Sequence, residues 1–159
     1  MGKSPTQRQG LPLALALWLA IATMPGCAGD GGVPTSDGGG GGGSSATFAA
    51  IQQQIFDNDC TSSACHSSAT RAGGMSLVAG EAYDDLVNVA PDNPAALAAG
   101  LQRVVPDDPQ RSFLLDKVMG ALSAAEGSPM PLGGIPLRAD QIEMIRSWIQ
   151  NGAMPDGSS

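Results

Sequence analysis

The sequence predicts a mainly α-helical fold, because its apolar residues recur at helical spacing and it contains no long run of alternating polar and apolar residues. The pattern is clearest at the two ends of residues 47 to 154, a segment whose length suits a single hydrophobic core. The stripes that predict these two terminal helices are Phe48, Ile51 and Ile55, and Ile142, Ile145 and Ile149.

Both terminal helices carry sequence signals at their ends. Thr47 is a typical N-cap for the first helix, which we expect to continue to Cys60. Asp140 and Glu143 resemble a capping box at the start of the last helix, and Gly152 is suited to end it. Between them, apolar spacing predicts shorter helical segments within 81–89, 92–100 and 109–119.

The N-terminal region has the composition of a bacterial export signal followed by a linker. In residues 1 to 26, two basic residues precede an apolar stretch that is too short to cross a bilayer. A small residue then precedes Cys27, a pattern that predicts lipidation of Cys27, with ordinary secretory cleavage as the alternative. Residues 27 to 46, which include the six glycines Gly38 to Gly43, predict a flexible, disordered tether. We therefore expect an exported domain on the periplasmic side of the envelope, lipid-anchored to a membrane.

The charge of the chain bears on its partners. Eight Lys and Arg residues stand against 15 Asp and Glu, for a net charge of −7. Loss of Lys3 and Arg8 with the signal leaves six basic residues against 15 acidic ones, a net charge of about −9. A nucleic-acid partner is not expected, because phosphate binding needs a basic patch. The sequence also contains no nucleophile elbow or phosphate-binding loop that would predict a hydrolase.

The most informative segment runs from Cys60 to His66 and reads C-T-S-S-A-C-H. It is a longer version of the C-x-x-C-H segment that attaches c-type haem through two thioethers and one imidazole ligand. The four residues from Thr61 to Ala64 are small enough to bulge away from a porphyrin edge without moving the cysteines or the histidine. His66 is the only histidine in the chain, so a sixth iron ligand must be another residue type, such as a methionine.

Other interpretations of the same segment remain open. Cys60 and Cys65 can form a disulfide, although closing so short a loop restrains the unfolded chain only modestly. Both cysteines and His66 can also belong to a zinc site, which would need Asp57 or Asp59 as its fourth ligand. Coincidence is the remaining possibility.

Four segments occur in an order that is typical of one family: Cys60 to His66; Arg103 to Pro106 with Ser112 to Leu115; Met130-Pro131 with Gly133-Gly134; and Ile142 to Ala153. This order resembles small class I c-type cytochromes, specifically the lipoprotein-borne domains of myxobacteria and planctomycetes with a longer Cys-to-Cys spacing. The resemblance covers nearly all of residues 48 to 153. It implies a small cytochrome c-like helical domain around one haem.

The resemblance also implies a site and a role. Cys60 and Cys65 would hold one covalent haem c, His66 would be the proximal iron ligand and Met130 the distal ligand. Such a domain is an electron carrier for redox partner proteins and is not an enzyme on its own. One alternative is a haem-free surface lipoprotein whose helical binding domain is stapled by a Cys60 to Cys65 disulfide. Another is a catalytic or sensory haem domain with an open sixth position.

Met130 also stands out by its own sequence context. Prolines on both sides restrict its backbone, and it lies far enough along the chain to reach the opposite face of a haem. The competing interpretation is an apolar anchor of the loop. Met75, Met119 and Met144 lie in segments that predict loop, helix and helix interior.

Two arginines and two aromatic residues are weaker candidates for the site. Arg71 and Arg103 are candidates to pair with haem propionates, although each is also typical of a solvated surface charge. Phe48 and Trp148 can seal the porphyrin edge, but a contact between the two terminal helices is the simpler expectation.

Overall fold

The computed structural model describes residues 46 to 156. The signal peptide predicted at 1–26, all but the last residue of the 27–46 linker, and the lipidation site Cys27 lie outside the described residues.

The described domain is mainly α-helical, as predicted. Its helices are α1 (Phe48–Ile51), which continues as a π-helical segment (Gln52–Cys60), α2 (Ala82–Leu86), α3 (Pro94–Ala98), α4 (Phe113–Met119) and α5 (Ala139–Gln150). Single 3-10 turns occur at Ala72–Gly74, Pro109–Arg111 and Ala124–Glu126. Between residues 46 and 156 two isolated bridges, Val87 to Val104 and Gln102 to Ser112, are the only β pairing. None of the helices in this range is long and apolar enough to cross a membrane.

The first helix begins at the predicted cap and ends at the first cysteine. The hydroxyl of Thr47 accepts a hydrogen bond from the backbone N–H of Ala50 at 3.2 Å. At the other end, the N–H of Thr61 donates to the carbonyl of Phe56 at 3.1 Å, the wider spacing of a π-helix. The helix therefore places Cys60 at its C-terminal end.

The terminal helices pack against each other through an aromatic cluster. The ring of Phe48 lies 5.3 Å from that of Trp148, 5.3 Å from that of Tyr83 and 6.2 Å from that of Phe56, measured between centroids. The indole N–H of Trp148 donates to the carbonyl of Met154 at 2.9 Å. Phe48 and Trp148 thus form the expected contact between terminal helices, and their burial stabilises the core.

The start of α5 differs from the predicted capping box. The helix begins at Ala139, and the side-chain oxygen of Gln141 accepts the backbone N–H of Arg138 at 2.9 Å. Asp140 instead pairs with the guanidinium of Arg138 at 2.9 Å, and Glu143 lies beyond the first turn. The prediction of Asp140 and Glu143 as the cap was wrong, because the N-cap is Arg138, two residues earlier.

The helix predicted within 109–119 is divided at Ser112. This buried residue is extended, and its hydroxyl accepts from the N–H of Val105 at 2.9 Å and donates to the carbonyl of Asp108 at 2.8 Å. The hydroxyl ties the 3-10 turn to the preceding extended segment. Helix α4 therefore begins only at Phe113.

Candidate functional site

Two cavities in the described domain share three lining residues, His66, Ala72 and Met130. The first has a volume of about 180 Å³ and the second about 320 Å³. Small-molecule sites usually have volumes of about 300 to 1,000 Å³. The two cavities taken together fall within this range.

The first cavity is mostly apolar, with a few charged groups at its wall. Its apolar lining residues are Ala72, Met75, Leu86, Pro91, Phe113, Leu114 and Met130. Asp92, Arg103 and Lys117 supply the charges. An apolar wall with a few polar groups is typical of small-molecule and cofactor sites.

The second cavity contains both cysteines. Cys60, Cys65 and His66 line one part of it, and the segment from Met130 to Gly134 lines another. The structure therefore brings together all four residues that the sequence predicts for the site, although Met130 is distant from the others along the chain.

Backbone hydrogen bonds fix the position of His66. Its backbone N–H donates to the carbonyl of Cys60 at 3.1 Å, and its own carbonyl accepts the N–H of Leu77 at 2.8 Å. The residue is only 8% exposed. The segment between the cysteines thus folds back on the end of the first helix and carries the ring into the wall between the two cavities.

The electrostatics of His66 favour a neutral ring. Burial is the main cause that lowers the pKa of His66, and Arg103 lowers it further, whereas the backbone at Ala72 and Met75 acts in the opposite direction. The Nδ1 atom is buried and has no hydrogen-bond partner among residues 46 to 156. A buried ring nitrogen without a partner is costly, and a neutral imidazole is the form that ligates metals.

The two thiols are free in the structure and differ in their surroundings. Burial, then the charge of Asp59, then Cys65 raise the pKa of Cys60 to about 12. The hydroxyl of Ser62 donates to the sulfur of Cys65 at 3.0 Å. Within the described range, no group of three or more His, Cys, Asp or Glu side chains is arranged to hold a metal ion, so the zinc arrangement considered from the sequence is not assembled there.

Of Met75, Met119 and Met144, only Met75 lines one of these two cavities, and the sequence did not predict it. Met75 and His66 both line the first cavity. Met119 is 47% exposed, with its sulfur 3.0 Å from a guanidinium nitrogen of Arg146, and Met144 packs against the core. Met130 alone of the four lines both cavities.

The two arginines have different roles, and the surface interpretation of Arg103 was wrong. Arg71 pairs with Glu81 at 3.0 Å and Asp85 at 2.6 Å, and it lines neither cavity. The side chain of Arg103 is only 8% exposed and lines the first cavity. Its guanidinium donates to the carbonyls of Asp85 at 2.9 Å and Gly73 at 3.0 Å. The only sequence signal for this burial is the apolar Val104-Val105 that follows it.

Replacing Arg103 by Met is expected to lower the free energy of unfolding by about 2 to 4 kcal/mol, because two carbonyls lose charge-assisted hydrogen bonds. The carboxylate of Asp92, 3.2 Å from the guanidinium, is 63% exposed and is hydrated once the arginine is removed. The loss of this ion pair therefore adds little to the destabilisation. The matched control is Arg71→Met, whose partly exposed ion pairs with Glu81 and Asp85 are each worth about 1 kcal/mol or less. Urea unfolding measures both, and equal losses would contradict the structural role of Arg103.

Comparison with known proteins adds no further assignment, since no family model, curated protein or solved structure matches the chain. The chemistry of the site is therefore inferred from its own residues.

Proposed function

We propose that this chain is an exported, membrane-anchored monohaem c-type cytochrome that carries single electrons between redox partner proteins. The observation that supports this proposal is the convergence of Cys60, Cys65, His66 and Met130 on two cavities that share part of their walls. In this proposal the protein is an electron carrier and not an enzyme on its own.

The residues around the cavities fit a covalent haem c. Two free thiols line one cavity, and a buried neutral imidazole with an unpartnered nitrogen lies at the wall of both. Cys60 and Cys65 would hold the haem, His66 would ligate its iron as proximal ligand, and Met130 as distal ligand. When bound, the haem supplies the one-electron chemistry.

The polypeptide would control the access of water to the bound haem and the reduction potential of its iron. The apolar residues of the first cavity would exclude water from the bound group. A thioether from Met130 favours the reduced state and raises the reduction potential relative to two histidine ligands. The buried positive charge of Arg103 acts in the same direction, because it disfavours an additional positive charge nearby.

The rest of the sequence supports the location and partners in this proposal. Lipid on Cys27 would anchor the domain on the periplasmic side of the envelope, and the linker would let it reach partners. The acidic chain suits a basic surface on a redox partner and does not suit nucleic acid.

The decisive experiment is the mass and absorption spectrum of the denatured protein, made in a host with haem-maturation machinery. We expect a coloured protein whose mass is the mature chain plus one haem plus the lipid on Cys27. A colourless protein that weighs only chain plus lipid would contradict haem binding. A further deficit of two hydrogens would favour the haem-free lipoprotein with a Cys60 to Cys65 disulfide. A mass without lipid would contradict anchoring through Cys27 but leave the haem proposal intact.

A further inference from the structure

Lys117, near the end of α4, is bonded to the segment that carries Met130. Its ammonium donates to the carbonyl of Glu126 at 2.8 Å and to that of Ser128 at 3.1 Å. Its own backbone carbonyl accepts the N–H of Met130 at 2.9 Å. One residue of a helix thus contacts three positions of residues 126–130, which we call the methionine loop.

We propose that Lys117 is a positioning residue that holds the methionine loop at the cavities, so that the sulfur of Met130 stays at the site. This inference rests on the proposed function for the ligand role of Met130. The anchoring of the loop itself involves only residues of the polypeptide.

The surroundings of Lys117 explain why its ammonium has a fixed place. It lies 5.1 Å from the centroid of the Phe113 ring, and both residues line the first cavity. On the loop side, the carboxylate of Glu126 accepts the backbone N–H of Ser123 at 2.7 Å, which fixes the start of the loop. The ammonium therefore joins a rigid helix to a loop whose first residue is already held.

The bonds from the ammonium are the ones that a substitution can remove selectively. Hydrogen bonds from a charged donor contribute more than neutral ones, and two of them end on loop carbonyls. The third bond, from Met130 to the Lys117 carbonyl, is backbone to backbone and survives any side-chain change. A variant without the ammonium should therefore keep the fold but let the loop open more often.

The test compares Lys117→Met, which keeps an apolar stem of similar length, with Arg111→Met, which removes a cation paired with Asp108 and bonded to no loop residue. Two readouts are used: hydrogen exchange of the Met130 amide in the haem-free full chain, and the near-infrared sulfur-to-iron band of the haem-loaded oxidised protein. For Lys117→Met we expect exchange at least tenfold faster and a weakened band, with covalent haem retained. Lys117→Arg should restore both in part.

Unchanged Met130 exchange in Lys117→Met would overturn the proposal, as would equal acceleration in Arg111→Met. Faster exchange with an unaltered band would also overturn it, because the loop would then be anchored without any effect on the ligand. If the wild-type chain takes up no haem, the proposed function fails, and so does the ligand role. Exchange in the haem-free chain then still decides whether Lys117 holds the loop.

Discussion

Replacing both Cys60 and Cys65 by serine is expected to abolish covalent haem attachment completely. Thioether bonds require sulfur, and these are the two thiols that line the second cavity. The denatured mass should fall to that of the polypeptide plus lipid, and haem should separate from the chain on denaturation. Each single variant should retain at most one thioether.

The matched control shortens the segment between the cysteines. Replacing Thr61 to Ala64 with two small residues should leave covalent attachment in place, because Ser62, Ser63 and Ala64 are exposed and the shorter spacing is the usual one for haem attachment. Covalent haem in the double serine variant would refute the attachment sites. Its loss in the shortened variant alone would show that the long spacing is required.

Replacing Met130 by Ala is expected to abolish the weak near-infrared band that a sulfur-to-iron bond gives in the oxidised protein. Met130 lines both cavities, and the chain has no second histidine to take its place. The reduction potential should fall, because the thioether that favours reduced iron is lost. The opened position should bind cyanide or carbon monoxide.

Three methionine variants are controls for this result. Met75→Leu, Met119→Leu and Met144→Leu should keep the band, with stability losses below about 1.5 kcal/mol. Met75→Leu is the most informative, because Met75 also lines the first cavity. Loss of the band in that variant would identify Met75 as the ligand. An unchanged spectrum in Met130→Ala would instead favour the open-site haem domain of catalytic or sensory type.

Local signals account for what could be predicted of the fold. Periodic apolar residues predicted the terminal helices, and Thr47 caps the first one because an N-cap acts within a few residues. The cap of α5 was mispredicted because the sequence offers two possible pairs with the same spacing. Asp140 with Glu143 was predicted, whereas the structure uses Arg138 with Gln141. The π geometry that ends at Cys60 has no comparable signal in the sequence.

The sequence alone determined the helical class and the grouping of Cys60, Cys65 and His66, because residues so close along the chain cannot be far apart in space. Only the tertiary structure decided that Met130 joins them, that Arg103 is buried, and that Lys117 is bonded to the methionine loop. The physical reason is that helix periodicity and capping act over a few residues. Burial and long-range hydrogen bonds depend on how the whole chain packs around its core.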